Sequence, residues 1–211
     1  MKNRNREVVL TTLVCLLPIL AGVLLWNRLP ETVATHWGAD GEANGWSSRA
    51  FAVFALPALM AAINLLLHFA LRTDPKRQNM SAALRTVSVW TMPVLSVVMC
   101  ALTLANALGH AVHIETVTPL LVGLLMIVIG NYLPKTKQSY TMGIKLPWTL
   151  ASEENWNRTH RLAGFLWVLG GAAMVLLTLL GMLQIVPLLA LIAVMVLVPT
   201  VYSYLLYRKG I

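Results

Sequence analysis

Six long apolar runs alternate with short polar stretches along this 211-residue chain. A helix needs about 20 mainly apolar residues to cross the hydrocarbon core of a bilayer. Because each run is apolar on all sides, we expect each to be buried in lipid or in protein on every face. The sequence therefore predicts an all-α bundle of six transmembrane helices, with no room for a separate soluble domain. The predicted spans are residues 8–26, 50–71, 87–108, 116–133, 162–183 and 186–207.

The basic residues divide unevenly between the two sides of this predicted bundle. Fourteen of the sixteen Lys and Arg residues lie on the side of the N-terminus, and only Arg28 and Arg49 lie on the other side. Cytoplasmic loops of membrane proteins carry the excess of Lys and Arg. We therefore expect both termini and the 134–161 loop to be cytoplasmic and the 27–49 loop to be outside. The net charge of +8 then serves orientation and lipid contact, and no nucleic-acid partner is expected.

The predicted spans offer few groups for chemistry. No Asp, Glu, Lys or Arg lies near the middle of a span, although ion-coupled transporters usually hold an ionisable group at that depth. Asn64 and Asn106 are expected to hydrogen-bond between helices, and Cys15 and Cys100 are interpreted as small buried hydrophobes. A transporter or channel for a small solute is therefore an alternative, which would use the spans that contain proline and would need a continuous polar cavity.

The 27–49 loop is rich in turn-forming residues and tryptophan. Its Gly, Asp and Asn residues predict tight turns between Gly38 and Gly45. Trp37 and Trp46 suit a membrane–water interface, where the indole ring is favoured. We interpret this loop as a lid that lies on the membrane, with His36, Trp37, Gly41 and Trp46 as candidate binding residues.

Two metal-site patterns on the predicted outer side are incomplete. Residues 40–45 begin like a calcium-binding loop, but the third position is Glu42, and the twelfth position is Phe51 where a bidentate Glu belongs. A second set of residues offers the donor atoms that zinc prefers: His36, His110, His113 and Glu115. A His-x-x-His pair is a weak signal of a metal site. We therefore predict that the chain binds no metal and no cofactor and that it has no enzymatic activity. A metal-dependent membrane enzyme that uses these histidines is kept as a further alternative.

The 134–161 loop contains helix breakers followed by a helix start. Pro134 and Pro147 interrupt helices, and Gly143 permits a turn. Ser152 is a favourable N-cap for a helix that begins at about Glu153 and runs into the fifth span. Three residues of that helix share one face at spacings of three and four: Trp156, Thr159 and His160. One interpretation is an amphipathic elbow, in which Trp148 and Trp156 anchor at the interface and two arginines reach lipid phosphate. The other is a docking surface for a cytosolic protein.

Both loops resemble signatures of the SdpI family of bacterial membrane proteins. The segment LPETVATHWGADGEANGWSSR, residues 29–49, resembles the family's N-terminal domain of unknown function. The second signature of the family is matched in three pieces: GNYLP at 130–134, GIKLPWTL at 143–150 and WNRTHRLAG at 156–164. The resemblance covers nearly the whole chain. One departure is Lys145-Leu146, where the family often has Arg-Thr, and this leaves any contact at that point open.

The resemblance implies an integral membrane protein that gives immunity to a secreted, membrane-active peptide toxin. It also implies a possible receptor role, in which the protein holds a cytosolic transcriptional repressor at the bacterial cell membrane. It divides the chain into an N-terminal helix pair, residues 1–71, and a four-helix SdpI-like region, residues 72–211. Candidate binding or signalling residues in the second signature are Asn131, Pro134, Gly143, Pro147, Trp148, Thr149, Trp156, Thr159, His160 and Arg161.

Overall fold

The structure is a computed structural model that describes residues 2–38 and 40–211, and their side chains from residue 4 onward. The side chain of Lys2, one of the basic groups counted above, and Ala39 of the 27–49 loop lie outside this description. The described residues are mainly helical. The α-helices are α1 (Lys2–Leu24), α2 (Leu56–Thr73), α3 (Ala82–Ala107), α4 (Ile114–Tyr132), α5 (Pro147–Ala151), α6 (Glu153–Leu179) and α7 (Ile185–Arg208).

Six helices of the described chain are long and apolar enough to cross a membrane. They are α1, α2 with the π-helical turn Phe51–Ala55 that precedes it, α3, α4, α6 and α7. The predicted all-α bundle of six transmembrane helices is therefore confirmed, and the chain is a multi-pass membrane protein. The cytoplasmic position of the two termini stays a prediction.

The helix that contains the fifth predicted span, residues 162–183, begins as expected but ends earlier than predicted. Helix α6 begins at Glu153, and the Ser152 side chain accepts a hydrogen bond from the Asn155 backbone N–H at 3.2 Å, as expected of an N-cap. The helix ends at Leu179 because Gly181 adopts a φ of +67°. Its N–H donates to the Thr178 carbonyl at 3.0 Å and the Met182 N–H donates to the Leu177 carbonyl at 2.8 Å. These bonds form a Schellman motif, so Gly181 closes the helix and is not part of it.

The 27–49 loop forms a β-hairpin that the sequence analysis did not predict. Strand β1 (Thr32–Trp37) pairs antiparallel with β2 (Ala43–Ser48), and the register shifts twice near His36. The turn between them lies where tight turns were expected, and Gly41 there has a φ of +82°. Arg49 fixes the base of the hairpin, because its Nη1 donates to the carbonyls of Trp26 and Leu29 at 2.7 and 3.1 Å. Its guanidinium also lies 4.4 Å from the Trp26 ring centroid.

The chain packs as two compact units. The first comprises residues 1–70 and 86–115, which include α1, the hairpin, most of α2 and most of α3. The second comprises residues 71–85 and 116–211, which include most of α4, the helices α5 to α7 and the two segments that precede α3 and α5. These units follow from packing, whereas the division at residue 72 was taken from the family resemblance and stays a prediction.

A buried polar group links α1 and α2 within the first unit. The Asn64 Nδ2 group donates to the Thr11 Oγ1 atom at 2.9 Å, and the His68 Nε2 atom lies 2.9 Å from the same oxygen. Thr11 and Asn64 are fully buried, and His68 is 3% exposed. The expectation that Asn64 hydrogen-bonds between helices is confirmed. Such bonds lock one helix against another where neither has water to bond.

Candidate functional site

The loop before α5 is built around Gly143 and Thr149. Gly143 has a φ of +98°, and a Cβ placed on it would lie 2.5 Å from the His160 Nε2 atom and 2.8 Å from the Trp156 ring. Pro147 occupies the first turn of α5, where its missing N–H costs nothing. The Thr149 Oγ1 atom accepts from the Leu146 N–H at 2.9 Å and lies 2.8 Å from the Ile144 carbonyl, to which it donates. Gly143, Pro147 and Thr149 therefore determine the backbone conformation of this loop.

Trp156 and His160 form the centre of the site. Their rings stack with centroids 3.9 Å apart, and both side chains are fully buried. The Trp156 Nε1–H donates to the Thr136 carbonyl at 2.8 Å. The His160 Nε2 atom accepts from the Ile144 N–H at 2.9 Å, so Nδ1 carries the proton and donates to the Trp156 carbonyl at 2.8 Å. The imidazole is therefore neutral and clamps the loop to the start of α6.

A second group of side chains near the start of α6 is joined to α7 and to the end of the chain. Asn155 is fully buried, and its Nδ2 group donates to the carbonyls of Ser203 and Ile211 at 3.0 and 3.1 Å. Thr159, also fully buried, donates to the Asn155 Oδ1 atom at 3.1 Å. The Trp148 Nε1–H donates to the Ser203 Oγ atom at 2.9 Å, and its ring packs on two tyrosines of α7.

The predicted face of Trp156, Thr159 and His160 is confirmed as one face, but it is turned inward. The interpretation of Trp156 as an interfacial anchor is wrong, because its indole lies inside the protein with its N–H bonded to a backbone carbonyl. Trp148 is only partly buried. Whether these residues bind or signal stays a prediction, and any partner of Trp156 or His160 requires the loop to open first.

Asp74, directly after α2, is a central residue that the sequence analysis missed. Its Oδ2 atom accepts from the Ser139 hydroxyl at 2.7 Å and from the Tyr140 and Thr141 N–H groups at 3.0 and 2.9 Å. Its Oδ1 atom accepts from the Lys76 N–H at 2.7 Å. Burial favours a higher pKa for this carboxyl, but the hydrogen bonds outweigh it, so the pKa of Asp74 lies below its ordinary value.

A further set of contacts strengthens this connection. The Lys76 Nζ group donates to the Gln138 Oε1 atom at 2.6 Å, and the Asn79 Nδ2 group donates to the Gln138 carbonyl at 2.9 Å. The Gln138 Nε2 group in turn donates to the Thr149 carbonyl at 3.0 Å. The 74–79 segment thus holds the 134–161 loop from one side and α6 holds it from the other.

Glycines let α4 and α6 approach until their backbones touch. A Cβ placed on Gly164 would lie 2.7 Å from the Gly130 carbonyl oxygen and 2.6 Å from the Pro134 ring. Two turns away, a Cβ on Gly171 would lie 2.6 Å from the Gly123 carbonyl oxygen. Asn131 and Pro134, which flank this contact, are exposed.

The candidate residues of the hairpin have a different setting. His36 is exposed and its Nδ1 atom bonds with the Asn44 Oδ1 atom, while Trp46 is 61% exposed and Trp37 is partly buried. A Cβ on Gly41 would lie 2.6 Å from the Glu115 Oε2 atom, so the turn of the hairpin rests against the start of α4. The hairpin therefore presents side chains to its surroundings, whereas the 134–161 loop encloses them.

The structure lends little support to the two alternative functions. The His113 Nδ1 atom lies 3.0 Å from the Glu115 Oε1 atom. However, no three His, Cys, Asp or Glu side chains of the described residues are grouped as a metal site needs. The cavity between α4, α6 and α7, about 240 Å³ in volume, is lined mainly by apolar side chains such as Met126, Trp167 and Met195, which form no polar path.

Comparison with known proteins agrees with this architecture and with both signatures. The family model described as the SdpI/YfhL protein family matches residues 135–203, which include the whole cluster around Trp156. The model described as domain of unknown function DUF1648 matches residues 13–61, which include the hairpin. The chain is therefore similar to the SdpI/YfhL family over the region that carries the Trp156 cluster. The immunity protein SdpI of Bacillus subtilis (strain 168) is 27% identical to it over 206 residues, which cover 97% of each chain. No solved structure matches the chain.

Proposed function

We propose that this chain is a membrane immunity protein, which protects the cell that makes it from a secreted, membrane-active peptide. The observation that carries the proposal is the end-to-end similarity to the immunity protein SdpI, since 97% of both chains align and both family regions occur in order. The buried polar side chains of the site are bonded to backbone groups of the protein itself, and these bonds stabilise one loop conformation.

The hairpin is the part of the molecule suited to meet the peptide first. Its Trp46 side chain is 61% exposed and His36 is also exposed, at a loop that the basic residues predict to be outside. Exposed aromatic side chains on a rigid hairpin offer apolar contact area with little loss of conformational entropy. The proposed encounter therefore involves His36, Trp37, Gly41 and Trp46, before the peptide reaches the spans and dissipates the proton gradient.

A signalling branch is part of the same proposal. Peptide bound to the hairpin or the spans would loosen the 134–161 loop, which would uncover Trp156 and His160 for a cytosolic transcriptional repressor. The resemblance supports this branch. Exposure of Trp156 and His160 requires the loss of the Ile144–His160 and Thr136–Trp156 hydrogen bonds, so the resting protein would have little affinity for a repressor.

The test is expression of the full chain in a bacterial strain that is sensitive to a secreted peptide encoded beside this gene or beside a relative. Survival and membrane potential are measured after addition of the peptide. We expect the chain to preserve both, and Trp46→Ala to reduce protection while the protein accumulates normally. The matched control is Phe69→Ala, which removes a similarly exposed aromatic side chain (65%) away from the hairpin. Unchanged killing across the candidate peptides would contradict the proposal.

A further inference from the structure

An open groove lies between the first turns of α6 and the last turns of α7. Its volume is about 790 Å³. It combines two cationic side chains with polar, aromatic and apolar ones: Asn157, Arg158, Arg161, Leu162, Phe165 and Tyr202. Arg161 is exposed. Arg158 donates through Nη2 to the Glu154 carboxylate at 2.6 Å, and since a guanidinium has five N–H donors, it keeps donors for a second anion.

An apolar groove of about 350 Å³ continues from the first. The two share Leu162 and Tyr202, and the remaining lining consists of aliphatic side chains of α7: Leu197, Val198, Val201 and Leu205. A molecule that fills both grooves must therefore carry an anionic group at one end and a hydrocarbon chain at the other.

The position along α6 matches the headgroup region of a bilayer. Helix α6 has 27 residues, whereas about 20 suffice to cross the hydrocarbon core. The surplus lies at its start, because the residues from Ala163 to Leu179 are almost all apolar while those from Glu153 to Arg161 are polar or charged. Arg158 and Arg161 thus lie at the depth of lipid phosphates, and the apolar groove lies at the depth of acyl chains.

We propose that this groove is a binding site for one anionic phospholipid. The guanidinium groups of Arg158 and Arg161 hold the phosphate, and an acyl chain lies along Val198, Val201 and Leu205. The Glu154 carboxylate at the rim repels an anion, but its pairing with Arg158 leaves Arg161 as the principal cation. Arg158 and Arg161 are exposed whereas the Trp156–His160 stack is fully buried, so the lipid binds outside the buried cluster. This proposal is independent of the immunity function.

The test uses the purified full chain in detergent, from which bound lipid has been stripped, and native mass spectrometry with added phosphatidylglycerol or phosphatidylcholine. We expect one phosphatidylglycerol to bind in preference to phosphatidylcholine. Arg158→Gln combined with Arg161→Gln should weaken that binding roughly 10- to 30-fold, because the loss of each guanidinium near the phosphate lowers the affinity by a similar factor. The charge control is Arg6→Gln, which removes one positive charge from the same predicted side at a residue that does not line the groove, and it is compared with Arg161→Gln alone.

Two further arms separate the lipid from a free anion and from a folding defect. Val201→Trp, which fills the apolar groove, should also weaken phosphatidylglycerol binding, and millimolar inorganic phosphate should not displace the lipid. Replacing both arginines with lysine keeps the charge and should retain most of the binding. Equal binding of the two lipids, an unchanged affinity in the double Gln variant, displacement by phosphate, or the same loss in Arg6→Gln would each overturn the proposal.

Discussion

The two loops that carry the family signatures are stabilised in opposite ways. The 27–49 loop is a short hairpin whose bonds are mostly between its own strands and at its base, and its central side chains are exposed. The 134–161 loop is irregular between Thr136 and Leu146 and helical after that, and its Thr149, Trp156 and His160 side chains are fully buried. Trp156 and His160 are hydrogen-bonded to backbone groups 20 and 16 residues away in the sequence. Under the proposed function, the similarity to one family would therefore reflect recognition at the hairpin and architecture at the 134–161 loop.

This difference decides what substitution at each loop should reveal. A change at an exposed residue of the hairpin alters binding while the fold persists, since surface substitutions usually shift stability little. A change in the buried loop removes a hydrogen bond that water cannot replace, and so alters stability first. Loss of function alone does not identify a binding residue in the 134–161 loop.

The largest expected effect concerns the side of the membrane on which each loop lies. Asp40→Cys and Tyr140→Cys place single reactive thiols at exposed positions, and Cys15 and Cys100 are buried and should stay unlabelled. With an impermeant maleimide on intact cells, we expect labelling at position 40 and none at position 140 until the membrane is permeabilised. Labelling at position 140 in intact cells, or protection of position 40, would contradict the predicted orientation. The hairpin could then not be the loop that meets an external peptide.

The next effect concerns backbone conformation. Gly143→Ala should destabilise the protein by about 3 kcal/mol, because a left-handed residue pays a penalty for its Cβ and this Cβ also overlaps His160 and Trp156. The measurement is unfolding of the purified protein in detergent.

Gly109→Ala is the matched control for this substitution. Gly109 has a similar φ of +84° but no neighbouring atom within 4 Å of the added Cβ. Its loss should be about 1 kcal/mol, the backbone penalty alone. Equal losses at the two glycines would mean that the 134–161 loop is no more tightly packed than a free turn.

A smaller effect is expected from the carboxylates. Asp74→Asn should cost about 2 kcal/mol, since the amide nitrogen cannot accept from the Ser139, Tyr140 and Thr141 donors. Asp40→Asn, at an exposed residue that accepts one bond from the Glu42 N–H, should change stability by less than about 0.5 kcal/mol.

The same pair of variants gives a pH test. Because the pKa of Asp74 is lower in the folded protein than in the unfolded chain, its carboxylate stabilises the fold above about pH 4. That contribution is lost as the pH falls through the lowered pKa. The gap in stability between the wild type and Asp74→Asn should therefore be widest near pH 7 and narrow towards pH 3. A constant gap would contradict the role given to the charge.

The sequence allowed the spans to be predicted because a bilayer imposes a length and a composition on every helix. It also allowed the start of α6 to be predicted, since an N-cap is a local signal that Ser152 carries. The hairpin was missed because its strands are short and register shifts interrupt their alternation. Asp74 was missed because three of its four hydrogen-bond partners lie 65 to 67 residues further along the chain, and no local pattern records such contacts.

The glycine contacts between α4 and α6 limit how this protein can respond to a ligand. At Gly123, Gly130, Gly164 and Gly171 the two helices are so close that an added Cβ would lie within 3.0 Å of an atom of the other helix. The two ends of the 134–161 loop are thus attached to helices that resist sliding past each other. Under the signalling branch of the proposed function, a conformational change in this loop would therefore arise between residues 136 and 150, by exchange of hydrogen-bond partners.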